Sequence, residues 1–461
     1  MFKVFKQYVP SHALQQIAFD ASILFLLVLV VTVLPARGTP VEWRVVVPSA
    51  LLFAVLMILL NGALGLYRAR ALDAAGRSTV SRILVSVVVS VIVAFAVFAI
   101  LPWGYFQSEA AQVSIVLLLG GLLVMRGFAN RRGAASAFDP RVLIIGTGAE
   151  AAAVASSLKA RGVGGDLVGF YRPVGEETPV VDPGEILSED GNLLETVRRL
   201  HVSEVIVAVR ERRGGVLPIR ELLDCKLRGV KVLDLSSFFE RTHGQVPIGS
   251  LKASWLIYGE GFHQGVVRRT IKRCFDLLAC AILSILALPV MLVTACLILL
   301  EDGGPVLYRQ ERVGRRGRIF RVIKFRSMRH DAEGDGTPRW AQSDDDRITR
   351  VGHVIRRFRI DELPQLLNVL SGEMSLVGPR PERPYFVDQL TREIPFYSVR
   401  HSVKPGITGW AQVRYQYGAS VDDAMQKLQY DLYYVKNHNL ALDILVLFET
   451  VRVVLTCEGA H

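Results

Sequence analysis

The chain has 461 residues, of which 51% are hydrophobic and 21% charged, and its formal net charge is +11 at pH 7. It is too apolar for a soluble enzyme and long enough for two or three domains, so a membrane protein with globular parts is the expected class. The basic balance suits nucleic acid, anionic lipid or a phosphorylated substrate alike. The five cysteines form no CxxC pair and no Cys/His cluster, so they point to neither a disulfide framework nor a zinc site.

Apolar runs at about Phe19 to Leu34, Val45 to Tyr67, Val80 to Leu101 and Val113 to Phe128 are each near the roughly 20 residues that cross a hydrocarbon core. They predict four transmembrane helices within a domain of residues 1–133. A cleaved signal peptide would explain one such run but not four. Arg68, Arg70, Arg77 and Arg82 in the second loop, and Arg126, Arg131, Arg132 and Arg141 after the fourth run, place both segments in the cytosol. The third loop, PWGYFQSEAAQ, has no Lys or Arg and should face outward. No charged residue sits in the middle of these runs, which favours anchoring over a transport pathway.

Residues 139–250 alternate apolar strands with helical stretches, from DPRVLIIGTGAEAAAVASSLKARG through DLVGFYR, EVIVAV and VKVLDL. This alternation predicts a Rossmann-like α/β domain with a parallel sheet. Gly146, Gly148 and Ala151 reproduce a GxGxxA turn between strand and helix. The second strand ends Phe170-Tyr171-Arg172, without the acid that takes ribose hydroxyls, so a regulatory or dimerising module is favoured over a bound dinucleotide.

A fifth apolar run, residues 274–300, is long enough to span. Arg268, Arg269, Lys272 and Arg273 precede it and Arg309, Arg312, Arg315, Arg316 and Arg318 follow it, so both flanks should be cytoplasmic. Pro289 near its middle removes a backbone hydrogen bond and can kink or break the helix. Two halves of about 12 to 15 residues, roughly 18 to 22 Å each, could then enter one leaflet and return. A kinked fifth span is the alternative.

Beyond this run, GGPVLYRQERVGRRGRIFRVIKFRSM reads as a β-hairpin turning at Gly314-Arg-Arg-Gly317. Its arginines lack interleaved aromatic residues, which argues against nucleic acid. The segment VGHVIRRFRIDELPQLLNVL has helical spacing, with Pro364 as a kink or a new first turn. Asp361 and Glu362, adjacent on a helix, would point about 100° apart and could not share a proton. With arginines nearby, such a carboxylate should have a lowered pKa and stay ionised, available as a nucleophile or a Mg²⁺ ligand. An exposed helix with ion pairs such as Arg357 with Asp361 is the bland alternative. Asp344, Asp345 and Asp346 form an acidic run of which only Asp346, with Arg347, is expected near a site. Residues 442–455 should pack or lie at the interface, since Asp443, Glu449 and Arg452 interrupt them.

KFRSM (324–328), DELPQLLNVLSGEMSLVGPRP (361–381), KPGITGWAQV (404–413) and YDLYYVKN (430–437) closely resemble the motifs of the monotopic phosphoglycosyl transferases, also called polyprenyl-phosphate sugar-1-phosphate transferases. The catalytic resemblance covers about 268–461. Four spans and a Rossmann-like module match the family's large bacterial form. The resemblance implies transfer of a sugar phosphate from a UDP-sugar to undecaprenyl phosphate, with UMP as product and Mg²⁺ as cofactor. It implies Asp361 as nucleophile and metal ligand, with Glu362 beside it. Lys324, Arg326, Arg357, Arg380, Asp346, Arg347 and Lys404 become expected substrate contacts. It also implies a re-entrant helix at 274–300, a catalytic domain on the cytoplasmic face of the bacterial inner membrane, a homodimer and no nucleic-acid partner. A small hydroxyl residue is common in the family where this chain has Arg359, and the Ser usual beside the helix-breaking Pro is absent. The rival readings are a silent membrane scaffold or regulator, and an NAD-dependent nucleotide-sugar enzyme. The second lacks a YxxxK pair.

Overall fold

The computed structural model describes residues 2–4, 7–9, 19–26, 43–63, 140–161, 166–173, 179–187, 192–209, 217–248, 265–329, 347–415, 418 and 420–456. The expected third and fourth spans, half of the first, and Asp344, Asp345 and Asp346 lie outside these residues. The chain divides into two compact units, the first ending at Phe238 and the second beginning at Phe239, apart from a few residues near the amino terminus.

In the first unit, helix α1 (Trp43–Ala63) covers most of the second apolar run and is 21 residues long, about 32 Å at 1.5 Å per residue. Ala50, Phe53, Ala54 and Met57 are buried along it. The same unit contains a four-stranded parallel sheet. Strand β1 (Arg141–Ile145), helix α2 (Ala149–Arg161), strand β2 (Asp166–Tyr171), helix α3 (Leu193–Arg199), strand β3 (Glu204–Val207), helix α4 (Ile219–Leu227) and strand β4 (Lys231–Asp234) follow in chain order. The sheet order is β2-β1-β3-β4, with every pair parallel. A central strand buried on both faces must be apolar throughout, as Val142 to Ile145 are. Leu143 and Ile145 pack with Leu193, Val197, Val205 and Cys225.

Gly146 follows β1 at φ 115°, and a Cβ there would sit 2.9 Å from the Ala208 carbonyl oxygen, so only glycine fits. The neighbouring Thr147 carbonyl accepts the Val180 and Val181 amides at 2.8 and 3.3 Å. Residues 180 and 181 of the chain therefore hydrogen-bond to the glycine turn itself.

The second unit is built on helix α5 (Val266–Asp302), which runs without interruption through Pro289. The expected break is not made there: Pro289 removes one backbone hydrogen bond and the helix resumes around it. Among the described residues α5 is the one helix long and apolar enough to cross a membrane by length and composition. Its buried positions are Asp276, Cys280, Thr294 and Ile298, with Ser284, Ala287 and Met291 half-buried between them. Spacings of three and four put all seven on one narrow stripe. Between Leu277 and Leu300 most of the other positions are apolar and exposed, including Leu278, Ile285, Leu286, Leu292 and Leu300.

Both ends of α5 are fastened to the unit. Near its start, Lys272 bridges Asp276 at 3.2 Å and Asp443 at 2.9 Å. Asp276 also accepts the Ser375 hydroxyl at 2.8 Å. Near its end, Glu301 accepts the Arg350 and Val351 amides, and Ile298 packs with Phe325 and Ile355.

The expected hairpin follows as strands β5 (Leu307–Val313) and β6 (Ile319–Phe325), paired antiparallel from Leu307 opposite Phe325 to Val313 opposite Ile319. The predicted helix across 354–367 is instead three pieces. Helix α6 (Arg350–Arg357) stops at Phe358, Arg359 adopts the left-handed conformation at φ 58°, and residues Ile360–Gln365 form a 3-10 turn before helix α7 (Leu366–Ser371). A left-handed residue cannot continue a right-handed helix, so the axis is broken two residues before the acidic pair.

Strand β7 (Ser375–Val377) lies parallel to strand β8 (Gly406–Thr408). Gly378, Gly406 and Gly409 bring the two backbones so close that a Cβ at any of them would collide with the facing main chain. This contact accounts for the glycines of both LVGPRP and KPGITG. Helices α8 (Pro384–Glu393), α9 (Val421–Asn437) and α10 (Leu440–Thr456) complete the unit. As the interrupted tail segment suggested, α10 packs: Leu442, Asp443 and Val446 are fully buried. The Asp443 carboxylate accepts the Tyr434 hydroxyl at 2.6 Å and pairs with Lys272.

Candidate active site

The 3-10 turn carries Asp361 and Glu362, β6 carries Lys324, and the loop after β7 carries Arg380. Three residues per turn separate the two acids by roughly 120°, so they point in different directions, as expected of neighbours with different roles. Glu362 is buried, and one of its oxygens, Oε1, meets three cations. Arg380 lies at 2.7 Å, Lys324 at 3.5 Å and Arg359 at 3.7 Å. Asp361, half-buried, takes no hydrogen bond and no ion pair from any described residue.

The two carboxyls accordingly titrate in opposite directions. Burial works to raise the Glu362 pKa, but Arg380, Lys324 and Arg359 together outweigh it and hold the group far below the usual carboxylate range. For Asp361, burial and then the negative charge of Glu362 raise the pKa against the pull of Lys324, Arg380 and Arg356. The sequence-based expectation of a lowered Asp361 is thus corrected. The nearest cations are spent on Glu362, and desolvation decides what is left.

Arg380 is held from behind. Arg400, buried, donates to the Arg380 carbonyl at 2.9 Å and to the Tyr397 hydroxyl at 2.6 Å, and pairs with Asp431 at 2.8 Å. Arg312 donates to the Pro381 carbonyl at 3.0 Å. Pro379 and Pro381 restrict the backbone on either side. Neither Arg400 nor Arg312 is expected at the site from sequence, where Arg312 counts only among the basic residues after the fifth apolar run: each is identified by the carbonyl it reaches, 20 and 69 residues away.

Of the other expected substrate contacts, Arg326 is directed elsewhere. Its guanidinium donates to the Asp302 and Gly303 carbonyls at 2.9 and 2.7 Å, closing the end of α5. Arg357 is exposed at the end of α6, and the cation of that helix that acts on Asp361 is Arg356. The Arg347 carbonyl accepts the Arg329 amide at 2.9 Å, beyond the end of β6. Lys404 lies beside Arg273 at the start of α5, and the charges that reach it are Arg273, Asp276, Arg315 and Lys272.

No group of three or more His, Cys, Asp or Glu among the described residues could hold a metal alone. An unpaired carboxylate such as Asp361 does fit Mg²⁺, which is commonly held by one or two carboxylates together with substrate phosphate oxygens and water. Chemically, the site offers an unpaired, partly desolvated carboxylate beside a surplus of fixed positive charge. Such an arrangement suits nucleophilic attack at a phosphorus bearing several negative oxygens.

The family model for bacterial sugar transferases matches residues 267–457. A UDP-N-acetylgalactosamine-undecaprenyl-phosphate N-acetylgalactosaminephosphotransferase of Aeromonas hydrophila is 48% identical over 242 residues, 52% of this chain and 56% of that protein. A UDP-glucose:undecaprenyl-phosphate glucose-1-phosphate transferase of Caulobacter vibrioides is 42% identical over 192 residues, 41% of this chain and 72% of that protein. Another of that name, from Xanthomonas campestris pv. campestris, is 33% identical over 362 residues, covering 75% of this chain and 73% of the relative. The match thus spans just over half of the Aeromonas protein and nearly three quarters of the other two.

Proposed function

The chain belongs to the bacterial sugar transferase family, and on that premise we propose that it transfers a sugar 1-phosphate from a UDP-sugar to undecaprenyl phosphate, releasing UMP. The observation that carries this reading is the asymmetry of the acidic pair. Glu362 neutralises cations and fixes them in place, while Asp361 is left without a partner.

In the first step an Asp361 carboxylate oxygen attacks the β-phosphorus of the UDP-sugar. The bond from that phosphorus to the bridging oxygen breaks, UMP departs with the electron pair, and an acyl phosphate links Asp361 to the sugar. In the second step a phosphate oxygen of undecaprenyl phosphate attacks the same phosphorus and frees Asp361. Burial, which raises the Asp361 pKa, also strips water from the carboxylate and makes it the better nucleophile. Lys324 and Arg380, preset by Glu362, stabilise the charge on the transferring group without reorganising. Mg²⁺, held by Asp361 and the diphosphate, would supply further charge neutralisation. A two-step route lets one site serve a soluble donor and a lipid acceptor in turn.

The acceptor requires a membrane-level site. Helix α5 supports this reading because both its ends rest on the same unit, whereas a helix crossing the bilayer would have its ends on opposite sides. We therefore infer that α5 lies at the cytoplasmic face with its exposed apolar side in the near leaflet and both ends on the cytoplasmic side, with the amino-terminal spans as additional anchors. The named relatives differ in their sugar, so the proposal is for the class of sugar 1-phosphates.

Membranes containing the full chain, incubated with undecaprenyl phosphate, Mg²⁺ and a panel of UDP-sugars, should release UMP with at least one donor and yield a lipid-linked diphosphate sugar. Absence of UMP with every donor, or unchanged release from Asp361→Asn, would sink the assignment.

A further inference from the structure

The first two turns of α5 bear a groove that the proposed chemistry does not use. It is an open, shallow surface depression lined by Val266, Arg269, Thr270, Arg273 and Cys274. Spacings of three and four put these residues on one face of the helix, and that face continues through the exposed Leu277, Ala281 and Ile285.

The groove and its surroundings carry an excess of positive charge. Arg273 donates to the Val369 and Leu370 carbonyls at 2.6 and 2.9 Å, which closes the carboxyl end of α7 but pairs it with no carboxylate. Close to its guanidinium is the Lys404 ammonium: a Cβ on Gly372 would lie 3.4 Å from Arg273 Nη2 and 3.6 Å from Lys404 Nζ. Lys404 is half-buried and has no hydrogen bond or ion pair among the described residues. Its pKa is lowered by burial first and then by the charge of Arg273. Arg315, which reaches only the Ser402 carbonyl, is likewise lowered by burial and by neighbouring Arg316 and Arg269. The one carboxylate acting on Lys404 is Asp276, and it is already taken by Lys272 and Ser375. Four cations thus share one region without a carboxylate of their own. An apolar helix face leads away from them.

We propose that this groove binds the phosphodiester headgroup of an anionic membrane phospholipid, with the phosphate between Arg269 and Arg273 and the acyl chains along Leu277, Ala281 and Ile285. The inference rests on the placement of α5 at the membrane argued above, and it concerns a site separate from Asp361. An anionic lipid there relieves the repulsion among the cations and fixes the depth of the helix at the headgroup level. A free phosphate would satisfy the charges but not the apolar track, and a zwitterionic lipid the track but not the charges.

The purified full-length chain, titrated in detergent and followed by native mass spectrometry, tests this against four probes: phosphatidylglycerol, phosphatidylcholine, undecaprenyl phosphate and inorganic phosphate. Phosphatidylglycerol should be retained about tenfold or more tightly than phosphatidylcholine, as expected when basic residues near the surface contribute about 1 kcal/mol each. In the double variant Arg269→Ala, Arg315→Ala that preference should fall below about twofold, and Arg269→Glu alone should abolish it. Arg273 is left intact because it holds the end of α7. Equal retention of the two phospholipids, or a preference that survives both variants, would overturn the proposal. So would one-for-one displacement of phosphatidylglycerol by undecaprenyl phosphate, which would assign the groove to the acceptor, or by equimolar inorganic phosphate. UMP release in the same preparations separates the two readings: intact release without lipid preference removes this site alone. Lipid preference without UMP release from the unaltered chain removes the transfer reading alone.

Discussion

Two basic regions of the second unit use the same residue types in opposite ways. Around Glu362, Arg380, Lys324 and Arg359 converge on one buried carboxylate oxygen, so the cations are fixed before any substrate arrives. At the start of α5, Arg273 faces backbone carbonyls, and Lys404 makes no hydrogen bond or ion pair among the described residues. The first region carries its own counter-ion, which presets its cations as the proposed transfer requires. The second is incomplete in electrostatic terms and depends on an anion from outside. A high count of arginines therefore says little until the partner of each one is known.

The comparison is broken most severely at the carboxylate without a partner. Asp361→Asn should lower UMP release by at least about a thousandfold, the scale on which loss of a covalent nucleophile acts. Its thermal stability should not fall. A carboxyl whose folded pKa is raised costs stability once it ionises, so a neutral amide at that position removes a cost at pH 7. A melting curve shifted clearly downward would show that Asp361 has a structural partner after all.

Next in size is Arg380. Arg380→Lys keeps the charge but not the planar fork that reaches Glu362 at 2.7 Å. Loss of one fixed donor at a transferring phosphate should reduce kcat by about ten- to a hundredfold with a smaller change in KM. An effect on KM alone would make Arg380 a binding group and not a stabiliser of the transition state.

How much of this could be read from the chain depends on the range of the interaction. The hairpin was legible because alternation and bracketing glycines are local signals, and the parallel sheet because its buried strands are continuous apolar runs. The acidic pair was found through its motif, but its geometry was not. A left-handed arginine at 359 carries no propensity signal, so the helix was expected to run on through Asp361. The direction of the Asp361 shift was likewise missed, because burial depends on residues brought from β6 and the loop after β7. Arg326 and Lys404 were expected at the substrate because their motifs contain them. Arg326 instead closes the end of α5 and Lys404 lies beside Arg273 at its start, contacts set by the fold around a 37-residue helix and not by neighbouring residues.

Glu362 offers the matching test on stability. Glu362→Gln leaves Lys324 and the half-buried Arg380 without their counter-charge and should cost about 1–3 kcal/mol, measured by denaturant unfolding of the second unit. Because its folded pKa is depressed, this carboxylate contributes fully above its unfolded value of about 4.3, and the contribution is lost as pH falls below it. Asp361→Asn and Glu362→Gln should therefore move stability in opposite directions at neutral pH, although the residues are adjacent.

A smaller effect concerns the buried imidazoles. Burial lowers His438 to about 4 and His401 to about 4, with Arg400 adding to the shift of His401. Both are neutral in the fold, whereas the unfolded chain takes up protons below about pH 6.5. Stability should fall as pH drops from about 6.5 towards 4, and the slope should shrink in a His401→Gln, His438→Gln variant if the two imidazoles are its source.

The smallest expected change belongs to the groove. Arg269 is exposed and Arg315 makes one hydrogen bond of 3.3 Å to a carbonyl, so the double alanine variant should alter unfolding stability in detergent by no more than about 0.5 kcal/mol. Removing two like charges from a crowded basic region can even stabilise it slightly. The contrast with Glu362 is then quantitative: cations paired with a carboxylate hold the unit together, while those without one matter chiefly when an anion arrives. A loss of several kcal/mol in the double variant would mean that Arg269 and Arg315 are structural, and the distinction between the two basic regions would collapse.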